Sequence, residues 1–158
     1  TYGSQYIHHP AAVAEIVKEY GFDQVTIAAA MVHDVLEDTP VSEQELRRQL
    51  GDAVVNIVIT VSENKKLKWR ERKQKYIEAV AQADERVRAV SVADKIHNAQ
   101  SLIEFHAQQG SKAWKHFNRG REDKLWFERS LHAVLSQHWQ HPLLETYGNL
   151  IKKMEMLD

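Results

Sequence analysis

The chain contains no cysteine. That excludes a disulfide framework and thiolate ligands, so any metal here must be held by nitrogen and oxygen donors. Proline and glycine are scarce, three and six in 158 residues, and they read as breaks between periodic segments. This pattern predicts helices and argues against a sheet of consequence. No apolar run approaches the ~20 residues of a membrane span, and no signal peptide is visible. Neither sign of charge dominates: 21 Lys and Arg against 22 Asp and Glu leave a net charge of −1. That disfavours a broadly basic nucleic-acid binder or membrane-surface binder. The length suits one domain, and 43% hydrophobic residues suffice for a real core. The expected location is the cytoplasm. A homo-oligomer is compatible with the sequence but not specified by it.

The punctuation divides the chain into helices. Pro10 opens a first helix through about Tyr20, and Gly21 stops it. Asp23 N-caps a second, from Gln24 to Glu37, in which Ala28, Ala29 and Ala30 allow close packing. Thr39-Pro40 ends it, because the residue before proline is pushed out of the α region. Ser42-Glu43-Gln44-Glu45 forms a capping box for a short helix that stops at Gly51. Asp52 caps a Val- and Ile-rich segment through Val61. Propensity alone makes that segment a strand; its place in a helical array makes it a helix. Further helices are expected at about Trp69 to Gln82 and, capped by Asp84, through about Gln108. A short piece around Trp114 to Asn118 leads into a helix from Gly120 to about His138, and Pro142 starts the last one. The class is all-α, one domain over residues 1–158.

The chemistry sits in Val32-His33-Asp34-Val35-Leu36-Glu37-Asp38 and, sixty residues on, Ala93-Asp94-Lys95-Ile96-His97-Asn98. Adjacent His33 and Asp34 can aim two different donors at one ion, and Asp94 on a second helix can close the site. A further imidazole is offered by Tyr6-Ile7-His8-His9-Pro10, where His9 is a candidate fourth ligand. A lone His-Asp pair is ordinarily a surface dipeptide. Here its flanks are apolar, and burying a His, two Asp and a Glu without a cation would be costly. Two imidazoles and two carboxylates suit one borderline divalent ion: Mn²⁺ is expected, and Fe²⁺ and Zn²⁺ fit the same donors. In one continuous helix Glu37 falls a turn beyond His33, and Asp38 a turn beyond Asp34. These spare carboxylates suit proton transfer in metal-assisted hydrolysis.

In these three motifs the sequence resembles the HD-domain phosphohydrolases, and more closely their alarmone hydrolase branch, which removes the 3′-pyrophosphate from (p)ppGpp. The likeness runs from Thr1 to about Leu102. It implies a compact HD-domain helical bundle with His9, chosen over His8 as the residue before proline, and His33, Asp34 and Asp94 as ligands. It implies Glu37 and Asp38 as the catalytic pair and Asn98 as a nucleotide contact. The family's first, basic helix is expected upstream of Thr1. The run Trp114-Lys115-His116-Phe117-Asn118-Arg119 and Trp126 are similar to small, stand-alone HD proteins. Two-metal relatives recruit extra histidines between the His-Asp pair and the last Asp. None lies between Val35 and Ala93, so one ion is expected.

The stretch from Lys65 to Lys75 holds seven basic residues and one acidic. It reads either as a solvated helix face or as a cationic rim for a multiply phosphorylated substrate. Lys95, beside a ligand, is a candidate to face phosphate or to pair with Glu37 or Asp38. His106, His116, His132, His138 and His141 read as surface or packing residues. The expected function is hydrolysis of a nucleotide phosphoester, with (p)ppGpp as the leading substrate, no nucleic-acid partner and no membrane. The alternatives are a 5′-nucleotidase or other HD-type nucleotide phosphohydrolase, and a non-catalytic module with a structural metal. A structural site has no need of Glu37 and Asp38 beside it.

Overall fold

A computed structural model describes residues 2–117 and 119–158, with side chains from His8 onward. Thr1 and Asn118 lie outside them. The elements are α1 (Tyr2–Glu19), α2 (Gln24–Met31), α3 (Val35–Asp38), α4 (Glu43–Leu50), α5 (Asp52–Val61), α6 (Trp69–Gln82) and α7 (Glu85–Gln109). A 3-10 helix (Gly110–His116), α8 (Gly120–Ser136) and α9 (Pro142–Glu155) follow. No strand occurs among the described residues, so the all-α expectation holds.

The chain forms two compact units, the first ending at Asp94 and the second beginning at Lys95, both within α7. In the first, α1 packs on α2, and α5 touches α2, α4 and α6. Helix α1 contributes Val13, Ala14 and Val17 to the core, and α2 contributes Ala29 and Ala30. Those alanines keep the backbones close. In the second unit α8 and α9 pack together through Leu125, Leu131 and Leu135 and through Leu143, Tyr147 and Met154, all fully buried. The buried Glu128 carboxylate is held there by Lys124 Nζ at 2.8 Å and by the Tyr147 hydroxyl. Gly148 lies inside α9 because a Cβ there would come within 2.7 Å of the His132 ring.

Helix α5 is the test of local against tertiary forces. Its Val and Ile residues lose about 0.7 kcal/mol or less each in helix propensity. Five of its side chains, Val54, Val55, Ile57, Val58 and Val61, are buried. Each such burial contributes about 1.5–3 kcal/mol, so packing decides. Asp84 caps α7 as expected, accepting from the Val87 amide at 3.1 Å. The cap of α5 differs: Gly51 occupies that position, and Asp52, in the first turn, accepts from Arg47.

Two further expectations are corrected. Helix α1 does not open at Pro10 but at Tyr2, with Pro10 inside it. Proline removes one backbone donor, and the buried face of Val13 and Val17 holds the helix beyond that point. Helix α2 does not run to Glu37. It ends at Met31, and three turn residues separate it from α3.

If packing rather than propensity holds α5, two alanine substitutions should diverge. Val58→Ala, at a fully buried position, should lower unfolding free energy by about 1.5–3 kcal/mol despite the better helix former. Ile59→Ala, at 37% exposure, should be neutral or stabilising. Urea denaturation of both variants makes the comparison, and equal effects would contradict the packing account.

Candidate active site

The break after α2 builds the site. Val32 has φ −115° and ψ 14°. Around it, four-residue hydrogen bonds give way to shorter ones: Val32 N–H to Ala29 O at 3.2 Å and Val35 N–H to Val32 O at 3.0 Å. The Ala30 carbonyl accepts from His33 Nδ1 at 2.6 Å and, more weakly, from the His33 backbone N–H at 3.5 Å. The ring bond fixes the ring orientation and puts the Nδ1 hydrogen on the carbonyl side. In the neutral imidazole, Nε2 is then a bare lone pair.

His33 is 3% exposed, and its Nε2 lies 3.2 Å from Asp34 Oδ1 and 3.4 Å from Asp94 Oδ1. It has no hydrogen-bond partner, although buried. The 3.4 Å separation from Asp94 exceeds the usual length of an N–H···O bond, and the attraction there is chiefly electrostatic. His9, on α1, approaches from another side, with Nε2 2.7 Å from Asp94 Oδ1 and its ring edge-on to His33 at 5.3 Å between centroids. His9, His33 and Asp94 each offer a donor within 4.8 Å of the others. Asp34 stands against His33, and exposed His8 does not join this group.

A bare lone pair facing two carboxylate oxygens requires a cation between them. It can be a proton: burial pushes the His33 pKa down, but the Asp94 and Asp34 carboxylates outweigh it and raise it to about 9. It can equally be a metal, for which the set of imidazoles and carboxylates is suitable. Asp34 is itself pushed up, chiefly by burial.

The acid pair lies on α3. Burial raises the Glu37 pKa, against the lowering effect of the Glu63 backbone N–H, which donates to Glu37 Oε1 at 2.5 Å. Lys65 Nζ lies 3.9 Å from Glu37 Oε2 and 3.6 Å from Asp38 Oδ1. Sequence reasoning missed Glu63 entirely. It grouped Lys65 with the whole basic run, and a backbone amide that reaches a side chain 26 residues away leaves no local signal. Lys95 is buried, with Nζ 5.3 Å from the centre of the Phe127 ring. Asn98 is half-buried, one turn beyond Asp94 on α7.

An all-helical chain that gathers two imidazoles and two carboxylates beside a separate acid pair has the architecture of a metal-site domain. The HD domain family model matches residues 1–121, and the chain belongs to that family. It is 39% identical over 106 residues to guanosine-3′,5′-bis(diphosphate) 3′-pyrophosphohydrolase of Haemophilus influenzae, and 41% identical over 107 residues to the bifunctional (p)ppGpp synthase/hydrolase SpoT of Escherichia coli. Each match covers 63% of this chain but only 16% and 15% of those proteins, so the chain spans about a sixth of their length. Among solved structures it is similar to lmo0812 of Listeria monocytogenes EGD-e, with TM-score 0.85 and 30% identity over 92% of this chain and 94% of that one. It is also similar to a metazoan ortholog of SpoT described as hydrolysing ppGpp, with TM-score 0.77 and 25% identity over 96% and 83% of the two chains. No helix among the described residues is long and apolar enough to cross a membrane.

The His33 proton gives a signed pH dependence. In metal-free protein its folded pKa of about 9 exceeds the ordinary 6.5. The stabilisation is complete below about pH 6.5 and is lost as pH rises toward 9. A metal held at His33 Nε2 would take the proton's place, so its apparent affinity should rise about tenfold per pH unit between roughly 6.5 and 8.5. Titrating Mn²⁺ into chelator-stripped protein across that range, with melting temperature as a second readout, checks this. A pH-independent affinity over that range would contradict the displacement of a proton from a His33 imidazole with a raised pKa.

Proposed function

We propose that the chain is a metal-dependent phosphohydrolase whose substrate is (p)ppGpp, cleaved at its 3′-pyrophosphate. The observation that carries this reading is the buried His33 Nε2, aimed at two carboxylates and adjoined by an acid pair on the next helix. The likeness to the metazoan SpoT ortholog, over nearly the whole of this chain, supports the substrate.

In this reading His9, His33, Asp34 and Asp94 hold one divalent ion, with Mn²⁺ the proposed metal. When bound, the ion supplies Lewis-acid charge at the reacting phosphate. The residues of the chain do the rest. Asp38 takes a proton from the attacking water. Water oxygen bonds to the phosphorus that carries the 3′-oxygen, and the bond from that phosphorus to the 3′-oxygen breaks. Glu37 delivers a proton to the departing oxygen. Its raised pKa suits the acid role, because a carboxyl that keeps its proton more readily can donate it. Oε1 is committed to the Glu63 amide, which leaves Oε2 to carry that proton. Asn98 is assigned to the nucleotide. Lys95 remains a candidate for phosphate, at the cost of its contact with Phe127. Residues 1–158 are taken as one HD domain.

Incubation with (p)ppGpp, GTP and deoxynucleoside monophosphates in Mn²⁺ should release pyrophosphate from (p)ppGpp. Phosphate from the monophosphates alone would instead indicate a nucleotidase. Glu37→Gln and Asp38→Asn should each lower kcat by about 10²–10⁴-fold while metal content, measured by elemental analysis, stays near one per chain. Full turnover in both variants would remove the acid pair from the mechanism.

A further inference from the structure

The basic run from Lys65 to Lys75 does not behave as one surface. Arg72 and Lys73 turn back to Glu63. Lys73 Nζ lies 2.9 Å and 3.1 Å from its two carboxylate oxygens, and Arg72 Nε lies 3.5 Å from Oε1. These three side chains are largely buried, at 14%, 23% and 16% exposure for Lys73, Arg72 and Glu63. Lys75 pairs with Glu71 on the same helix. The cluster at Glu63 fixes the loop between α5 and α6, and the Glu63 backbone N–H then ties that loop to Glu37.

Lys65, two residues on, is held differently. Its side chain is 59% exposed, and its ammonium stands 3.6 Å and 3.9 Å from the two acids. Those distances exceed the ~2.7–2.9 Å of a charge-assisted hydrogen bond. An exposed pair at such separation adds little stability. The backbone beneath Lys65 is pinned, but its ammonium can exchange partners. The surrounding side chains are rich in carboxylates, with Asp34, Glu37, Asp38 and Asp94 on the two motifs. A polyanionic substrate approaching them needs a cation that can leave its carboxylates for a phosphate oxygen.

We propose that Lys65 binds the pyrophosphate group of the substrate, and that Glu63, through Arg72 and Lys73, is the positioning residue that holds the Lys65 loop against Glu37. The assignment of substrate class rests on the function proposed above. The charge pattern of the sequence pointed to the run as a whole; the contacts single out one lysine and give Arg72 and Lys73 a supporting role.

The test uses the full chain loaded with one equivalent of Mn²⁺. Calorimetry measures binding of inorganic pyrophosphate, and steady-state kinetics measure (p)ppGpp hydrolysis. Lys65→Met should weaken pyrophosphate binding by about tenfold to a hundredfold, as for loss of a charged hydrogen bond. It should raise KM similarly, with a smaller change in kcat. Lys65→Arg should recover most of the loss. Glu63→Gln should weaken pyrophosphate binding in the same direction at unchanged metal content. The double variant should bind no more weakly than Lys65→Met alone, since both changes act through one lysine. Multiplying losses would overturn the role of Glu63. Unchanged pyrophosphate binding in Lys65→Met, or a fall in kcat alone, would overturn the role of Lys65. Lys65-dependent pyrophosphate binding without hydrolysis of any nucleotide would leave the lysine assignment standing and refute the proposed reaction.

Discussion

A buried imidazole nitrogen that faces two carboxylates cannot be left bare. His33 Nε2 sits within 3.4 Å of Asp34 and Asp94 oxygens, with its other nitrogen committed to the Ala30 carbonyl. The chain must place a positive charge there, as a proton or as a metal. Burial alone would drive the imidazole neutral; the two acids reverse that. A divalent cation would complete this arrangement, and separate elements bring the candidate donors together. Helix α1 brings His9, the α2–α3 turn brings His33 and Asp34, and α7 brings Asp94.

The interruption after Met31 matters as much as the residues. A continuous helix would have satisfied the Ala30 carbonyl with the amide of residue 34. The tightened turn gives that carbonyl a short bond from the His33 ring beside a long one from the His33 amide, and sets Asp34 at the start of α3, with φ −95° and ψ −5°. Glu37 and Asp38 then belong to a separate short helix, which the Glu63 amide and Lys65 contact from the α5–α6 loop. The proposed ligands and the proposed acids are thus adjacent in sequence but held by different elements. In the proposed reaction that separation serves groups with different duties: ligands that stay fixed and acids that exchange protons.

Several of these features were legible in the chain. The missing cysteine confined any site to nitrogen and oxygen donors, and the His33-Asp34 and Asp94 motifs marked segments that the fold brings together. The caps at Asp23, Ser42 and Asp84 were readable because each is a short-range bond, made at 3.0–3.1 Å to an amide three residues on. The helical state of α5 was legible only from its company, since its Val and Ile residues favour the opposite assignment. The position of Pro10 misled, because a proline can be carried inside a helix when the following turns are well packed.

Sequence alone determined the inventory: which donors exist, that the chain is mainly helical, and that neither sign of charge dominates it. Those properties are local or additive, so they survive without coordinates. Tertiary structure decided which of two adjacent histidines meets Asp94, where α2 breaks, and which of the seven cations between Lys65 and Lys75 stands at the acid pair. Each depends on a contact between residues far apart in the chain, such as the 85 residues between His9 and Asp94. Residue type and spacing cannot encode such a contact until the helices have packed.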